Sequence, residues 1–172
     1  MAGTVGQKFA IKDVVDVTLT PLGEAEAEGQ AITINYLNSC QLTLESESVY
    51  ATEKGNNSIS FGGSRTGTFT MSAQVIKDEF LAMMLGGTYN KSDGSITVTG
   101  AIPTKSYKLS GTFNVALADG TQVLRKIELA KVTPQPSTDM TLSATDIAEF
   151  QLVMDVLVDN DQLLKITDNA GA

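Results

Sequence analysis

A chain of 172 residues with no histidine lacks the side chain that most often moves protons near neutral pH. Serine and cysteine triads fail for want of their base, and most zinc sites lose a ligand. The single thiol, Cys40, stands in the run Ile32, Ile34, Tyr36, Cys40, Leu42, Leu44, an apolar face of even-numbered positions broken only by Asn38. A small buried apolar side chain accounts for it better than a reactive thiol, since free cysteine is among the most buried residue types. Asp155 and Asp159 are paired carboxylates of the kind glycosidases use, yet there is no tryptophan on which a sugar would stack. Asp159, Asn160 and Asp161 begin like a calcium-binding EF-hand loop, but Leu164 replaces the glycine required at the sixth position and no glutamate follows at the twelfth. A turn fits better. Glu24, Glu26 and Glu28 in the loop GEAEAEGQ imitate a cation cluster and read more simply as a solvated acidic loop. The glycine cluster FGGSRTG lacks the lysine of a phosphate-cradling loop and reads as a bent strand. These residues predict a non-enzymatic chain without metal or cofactor.

Twenty acidic against twelve basic residues give a formal charge of -8, the wrong sign for a face that displaces phosphate counterions. One cysteine excludes an internal disulfide, so nothing requires an oxidising compartment. The N-terminus MAGTVGQKFAIKD has no apolar run of signal-peptide length, and no segment approaches the roughly 20 apolar residues that span a bilayer. Cytoplasmic synthesis without membrane association is the default expectation. With 42% hydrophobic and 19% charged residues the composition is that of a folding domain, and no repeat or boundary divides it.

Period-two alternation dominates the elements that must position these side chains. Val15, Val17 and Leu19 alternate with polar residues up to Pro21, and a strand pair is predicted from Ala31 to Glu45, broken near Asn38 and Ser39. The polar stretch Ser46 to Ser58 turns at Gly55, Asn56 and Asn57. Ser64, Thr66, Thr68, Thr70 and Ser72 then share one face of a strand whose other face carries Phe69, Met71 and Ala73. Helical spacing is confined to a segment near 75–86, closed by Gly86 and Gly87. There Ile76, Phe80, Met83 and Met84 share one arc, while Leu81 and Leu85 fall outside it. The second apolar side predicts either a neighbouring subunit over the helix or a helix held between two parts of one core. Asp93-Gly94 and Asp119-Gly120 mark hairpin turns, and Leu109, Phe113, Val115 and Leu117 face one way on a strand between them and Val123. Pro134 and Pro136 mark a linker. Phe150, Leu152, Met154, Val156 and Val158 then line one face of a strand whose opposite face, with Val153 and Leu157, is also partly apolar.

Three segments resemble the tail tube family of tailed bacteriophages. The first, VYATEKGNNSISFGGSRTGTFTMSAQVIKDEFLAMMLGGTY, has a charged turn, a strand, a glycine-rich bend, a Ser/Thr-rich strand and a short helix ending in paired glycines. The second is AIPTKSYKLSGTFNVALADGTQVLRKIELAKVTPQPSTDMTLS, with its ADGT turn and Lys/Pro linker. The third, FQLVMDVLVDNDQLLKI, is similar to the family's terminal strand. Together they span Val49 to Ile166, about two thirds of the chain, and their order makes the match specific.

The resemblance implies a mainly β fold, an antiparallel β-sandwich or half-barrel with one flanking helix. It implies six subunits in a ring whose inner sheets join into a continuous barrel, with rings stacking through a long loop and the chain termini. Residues 1–172 are then a single tail-tube domain with an N-terminal arm at 1–13, an inter-ring loop at 46–58 and a mobile tail at 167–172. Glu47, Glu53, Lys54 and Asn56 become candidate inter-ring contacts, against the plainer reading of a solvated hairpin tip. The face with Ser64, Thr66, Thr68 and Thr70 is a candidate lumen lining, or else the face that meets a neighbour's outer sheet. Phe80, Leu81, Met84 and Leu85 are candidates for helix packing or a subunit interface. The acidic balance suits a conduit along which DNA passes without specific binding. Implied partners are other copies of the chain and the tail terminator, tape measure and distal tail or baseplate proteins, in a virion tail assembled in the host bacterial cytoplasm.

Two other readings compete with it. The tube of a phage-derived contractile particle, a tailocin or secretion tube, shares the assembly and differs in having a sheath. A carbohydrate-binding or adhesin sandwich predicts a stable monomer with exposed aromatic residues, whereas aromatics are only 6% of the chain and mostly occupy apolar alternating positions.

Overall fold

The architecture comes from a computed structural model that describes residues 9–23, 31–34, 37–53, 56–101, 105–135 and 149–168; within 9–15, 47–53 and 56–64 it describes the main chain. The elements are β1 Phe9–Leu22, β2 Ile32–Ile34, β3 Leu37–Glu53, β4 Asn56–Ala73, α1 Asp78–Met84, β5 Thr88–Asn90, β6 Ser95–Thr97, β7 Ser106–Leu117, β8 Gln122–Pro134, β9 Phe150–Leu157 and β10 Leu164–Asp168. Eight of the strands form one antiparallel sheet in the order β2-β1-β7-β8-β9-β4-β3, with β10 on β8, while β5 and β6 form a separate hairpin. A mainly β architecture with one short helix is what the alternation predicts.

Connectivity forces the sheet to curl. The two ends of its path, β2 and β3, are adjacent in sequence, so Ile34 and Leu37 lie within three Cα steps, about 11 Å at most. β1 and β3 accordingly touch. The apolar face turns inward around one core of Val17, Leu19, Leu109, Leu129, Val132, Met71, Met154 and Val156, joined by Phe80, Met83 and Met84 of the helix. Fully burying one such side chain contributes roughly 1.5–3 kcal/mol, so this face fixes the register of every strand that enters it. Cys40, Leu37 and Leu42 pack against the same core. Leu37 and Cys40 share a face despite their odd spacing because the β3–β4 ladder shifts register between Leu37 and Ser39.

Several boundaries differ from the sequence reading. The helix begins at Asp78 rather than near 75, because Lys77 is still extended and its carbonyl accepts the first helical bonds from Phe80 and Leu81. Asp78 and Glu79 then place negative charge against the helix N-terminus, where it is favourable. At the other end Gly86 takes φ 66°, and the bonds Gly87 N–H to Ala82 and Gly86 N–H to Met83 close a Schellman cap. The polar stretch from Ser46 is strand as far as Glu53, since its main chain pairs with β4 throughout. Residues 9–13, expected in an arm, pair with β7, and Thr167 and Asp168, expected in a mobile tail, pair with β8. Residues 1–8 and 169–172 lie outside the described residues, as does the acidic loop with Glu24, Glu26 and Glu28.

Candidate assembly interface

Where β9 ends, the sheet forks. β9 pairs β4 only from Gly67 to Ala73, and beyond that level β3 and β4 continue as a two-stranded ribbon through eight further register pairs to Glu53 and Asn56. At about 3.3 Å per residue this arm is roughly 30 Å long. A two-stranded hairpin is at best marginally stable alone in water. The arm begins at a close approach: a Cβ on Gly67 would lie 2.7 Å from Leu44 Cδ2 and 3.0 Å from the Thr43 carbonyl.

The other branch of the fork belongs to β8. After Leu157 the chain makes a tight turn in which Asp159 and Gln162 exchange both main-chain bonds, with Asn160 and Asp161 at φ 49° and 62°. These left-handed values suit Asn and Asp in a two-residue hairpin turn. The expected turn is there, and the chain re-enters the sheet as β10, pairing Leu164–Asp168 with Leu129–Arg125. Ala130 N–H bonds to the Leu163 carbonyl, so Lys165 and Thr167 aim their main-chain groups at β8 while Leu164, Ile166 and Asp168 aim theirs away from it.

β1, β7, β8 and β10 thus form a four-stranded wing. Among the described residues β10 has no partner on its outer side, and β1 has none on its outer side from residue 9 to 16, β2 covering only Val17 to Leu19. The wing's inner face holds a second apolar cluster, Phe113, Val115 and Leu117 with Val123 and Ile127 against them, and Ile166 half exposed beside it. Arg125 and Asp168 face each other on that side, Nε to Oδ1 at 2.7 Å.

The wing's opposite face is polar. It carries Asp16, Thr18, Ser110, Thr112, Lys126, Glu128, Lys165 and Thr167 in register, and Lys108 beside them. Glu128 Oε1 sits 3.0 Å from Lys126 Nζ and 3.6 Å from Lys108 Nζ, and these lysines hold its carboxyl below the usual carboxylate range. Charge on this face is close to balanced, so the chain's acidic excess lies elsewhere.

The sequence-predicted residues fall into three places. Glu53 and Asn56 pair with each other at the end of the arm and Glu47 lies at a register shift along it, while Lys54 lies outside the described residues. Thr66 is exposed and Thr68 and Thr70 are half-buried between β3 and β9, Ser64 being described by its main chain; Ser72, further along, is buried and shares a 2.9 Å hydrogen bond with Ser39. Phe80 and Met84 are buried in the core whereas Leu81 and Leu85 are half-buried, with Val75 and Val98 nearby in sequence 62% and 51% exposed. Of the wing, sequence reasoning places β1, β7 and β8 and misses β10, whose signal is the apolar segment Leu163 to Ile166 after the Asp159–Asp161 turn.

Among the described residues no three His, Cys, Asp or Glu side chains group as metal ligands, and no catalytic constellation forms. Leu22, Lys105, Ser106, Lys131 and Asp159 border a shallow, open cleft. No helix of the described residues is long and apolar enough to cross a membrane.

No protein-family model matches the sequence, and no curated protein does. Solved structures do. A chain of the sheath-tube complex of an extracellular contractile injection system (PVC, extended state) is 13% identical with a TM-score of 0.50, over 91% of this chain and 90% of that one. A chain from the tube-terminating cap of the anti-feeding prophage is 14% identical with a TM-score of 0.47, covering 98% and 99% of the two chains. A chain in the tail of an empty gene transfer agent particle is 18% identical with a TM-score of 0.43, covering 89% and 95%. The first of these shows a shared fold.

Proposed function

We propose that this chain is a major tail tube subunit, a structural virion protein that polymerises as stacked hexameric rings into the tube that conducts a phage's DNA genome into its host. The observation that carries the reading is the wing with two open lateral edges. β10 runs antiparallel to β8 and β1 runs parallel to it, so the β10 edge of one copy meets the β1 edge of the next as an antiparallel pair. Such a head-to-tail contact generates a closed ring when the rotation closes, and it removes every exposed edge of the wing.

The stagger of the two edges agrees with closure. The middle of β10, Ile166, is level with Val17, about four residues from the middle of the open β1 edge. Spread over four strand spacings per copy, one residue per strand corresponds to a tilt of about 35°, within the range of β-barrels. Six copies, as the sequence resemblance implies, would make one barrel, and the wing's polar face becomes a better lining for its channel than the Ser64–Thr70 face, which lies on β4.

The β3–β4 arm supplies stacking, with Glu47, Glu53, Lys54 and Asn56 as contacts to the next ring, and Leu81 and Leu85 lie against a neighbour within the ring. The N-terminal arm and C-terminal tail add to the ring contacts in one tail-tube domain. Tail terminator, tape measure and distal tail or baseplate proteins are the remaining partners, in a tail assembled in the bacterial cytoplasm. A tube of a contractile particle is the second reading, favoured by the fold shared with a chain of a sheath-tube complex; co-assembly with a sheath distinguishes it.

Negative-stain electron microscopy of the concentrated protein is the test. Rings or hollow rods are expected, and deleting Glu53 to Asn57 should leave a folded protein that makes no tubes. Tubes of normal length from that deletion reject the stacking role, and a protein that stays monomeric at all concentrations rejects the reading as a whole.

A further inference from the structure

On the polar face of the wing two lysines, Lys108 of β7 and Lys126 of β8, engage one carboxylate, and a third, Lys165 of β10, stands in register beside it. Glu128 lies 3.0 Å from Lys126 and 3.6 Å from Lys108, and Lys165 is its register partner. Their depths differ: the Glu128 side chain is 17% exposed, whereas Lys126 and Lys108 are 41% and 51% exposed. The carboxylate sits at the floor and the ammonium groups stand above it. In a chain of net charge -8 this face is close to balanced, Asp16 lying two strands from Lys126, and the lysines stand among hydroxyls of Thr18, Ser110, Thr112 and Thr167.

We propose that Glu128 sets the affinity of this face for a phosphodiester backbone, holding Lys126 and Lys108 as internal partners so that duplex DNA meets them without being retained. The position of the face along a channel rests on the tube reading above; the surface itself does not. Lysines gain affinity for nucleic acid by replacing the counterions of phosphates. A lysine already engaged by a carboxylate has to give up that partner first, so each contact gains little. Without the carboxylate, the same ammonium groups project from one floor with no acidic partner between them, and a polyanion becomes their natural counter-charge.

The test is fluorescence anisotropy of a labelled DNA duplex titrated with the full chain and with Glu128→Gln. The variant should bind about tenfold more tightly than the parent at about 50 mM salt and lose that gain by about 200 mM. Adding Lys126→Gln and Lys108→Gln to it should return binding to the parent level. Circular dichroism checks the fold, and Glu128→Thr, which keeps strand propensity, replaces the Gln variant should that one unfold. Equal binding by parent and variant, or a gain indifferent to the two lysine changes, overturns the proposal. Microscopy of the same samples scores tube formation separately: tubes with no gain in binding sink only this inference, and a gain in binding without rings sinks only the tube reading.

Discussion

Arg125 and Asp168 are register partners that join β8 to β10, with Nε 2.7 Å from Oδ1 on the same face as the Phe113–Val115–Leu117 cluster. The guanidinium side chain is only 12% exposed, so its charge is expensive to leave without a carboxylate. The pair holds the last described strand in place at the edge of the wing.

Asp168→Asn should therefore weaken the attachment of β10. Because Asp168 is about one-third exposed, water offsets part of the loss, and a cost of about 1–2 kcal/mol is expected. The melting temperature should fall by roughly 2–8 °C for a domain of this size. Hydrogen exchange should show faster exchange at Lys165 and Thr167, whose amides point at β8. Unchanged protection there would mean that the ion pair does not hold the strand.

Proline scanning of β10 separates folding from assembly. The Ile166 amide points away from β8, so Ile166→Pro removes no bond within the chain, whereas Lys165→Pro removes one of the bonds to β8. The first variant should stay folded and monomeric and form no rings; the second should lose stability by about 1–3 kcal/mol. Ile166→Thr controls for the lost apolar side chain and should still assemble. Rings from Ile166→Pro would remove β10 as a joining edge.

The contrast between β7 and β10 shows which parts of this fold were legible. Leu109, Phe113, Val115 and Leu117 alternate with only Gly111 interrupting them and are bounded by Asp119 and Gly120, so pattern alone places the strand, its face and its turn. Phe69, Met71, Leu152, Met154 and Val156 were legible in the same way. β10 has too short an apolar run to fix its type and the outer half of β3 is polar, and they are strands because an existing ladder offers them main-chain partners. Leu37 and Cys40 share a face only through a register shift, which no periodicity reveals. The open edges depend on strand order, which the sequence does not state.

The glycines after the helix differ in what they tolerate. Gly86 is left-handed at φ 66°, so Gly86→Ala should cost about 1 kcal/mol from backbone strain alone. A Cβ on Gly87 would lie 2.7 Å from the Thr97 carbonyl oxygen and 3.2 Å from Val98 Cγ2, so Gly87→Ala should cost about 1–3 kcal/mol and displace the β5–β6 hairpin. Urea denaturation of both variants checks the order. A smaller loss at Gly87 than at Gly86 would show that the hairpin moves aside freely.

Cys40 offers a chemical readout of the core around β3. Burial pushes its thiol up to about 11 from 9.0, since the thiolate cannot be solvated there. At pH 8 the folded chain should therefore react with iodoacetamide about a hundredfold more slowly than the urea-unfolded chain, in proportion to thiolate present. The folded state keeps its proton between pH 9 and 11 while the unfolded state loses it, so stability is whole below pH 9 and declines as pH rises toward 11. Other groups titrate in the same range, so the comparison is with Cys40→Ala, whose stability should fall less steeply between those pH values. Parallel pH curves for the two proteins, or rapid alkylation of the native chain, would place the thiol in water rather than against Leu37 and Leu42 at the edge of the core.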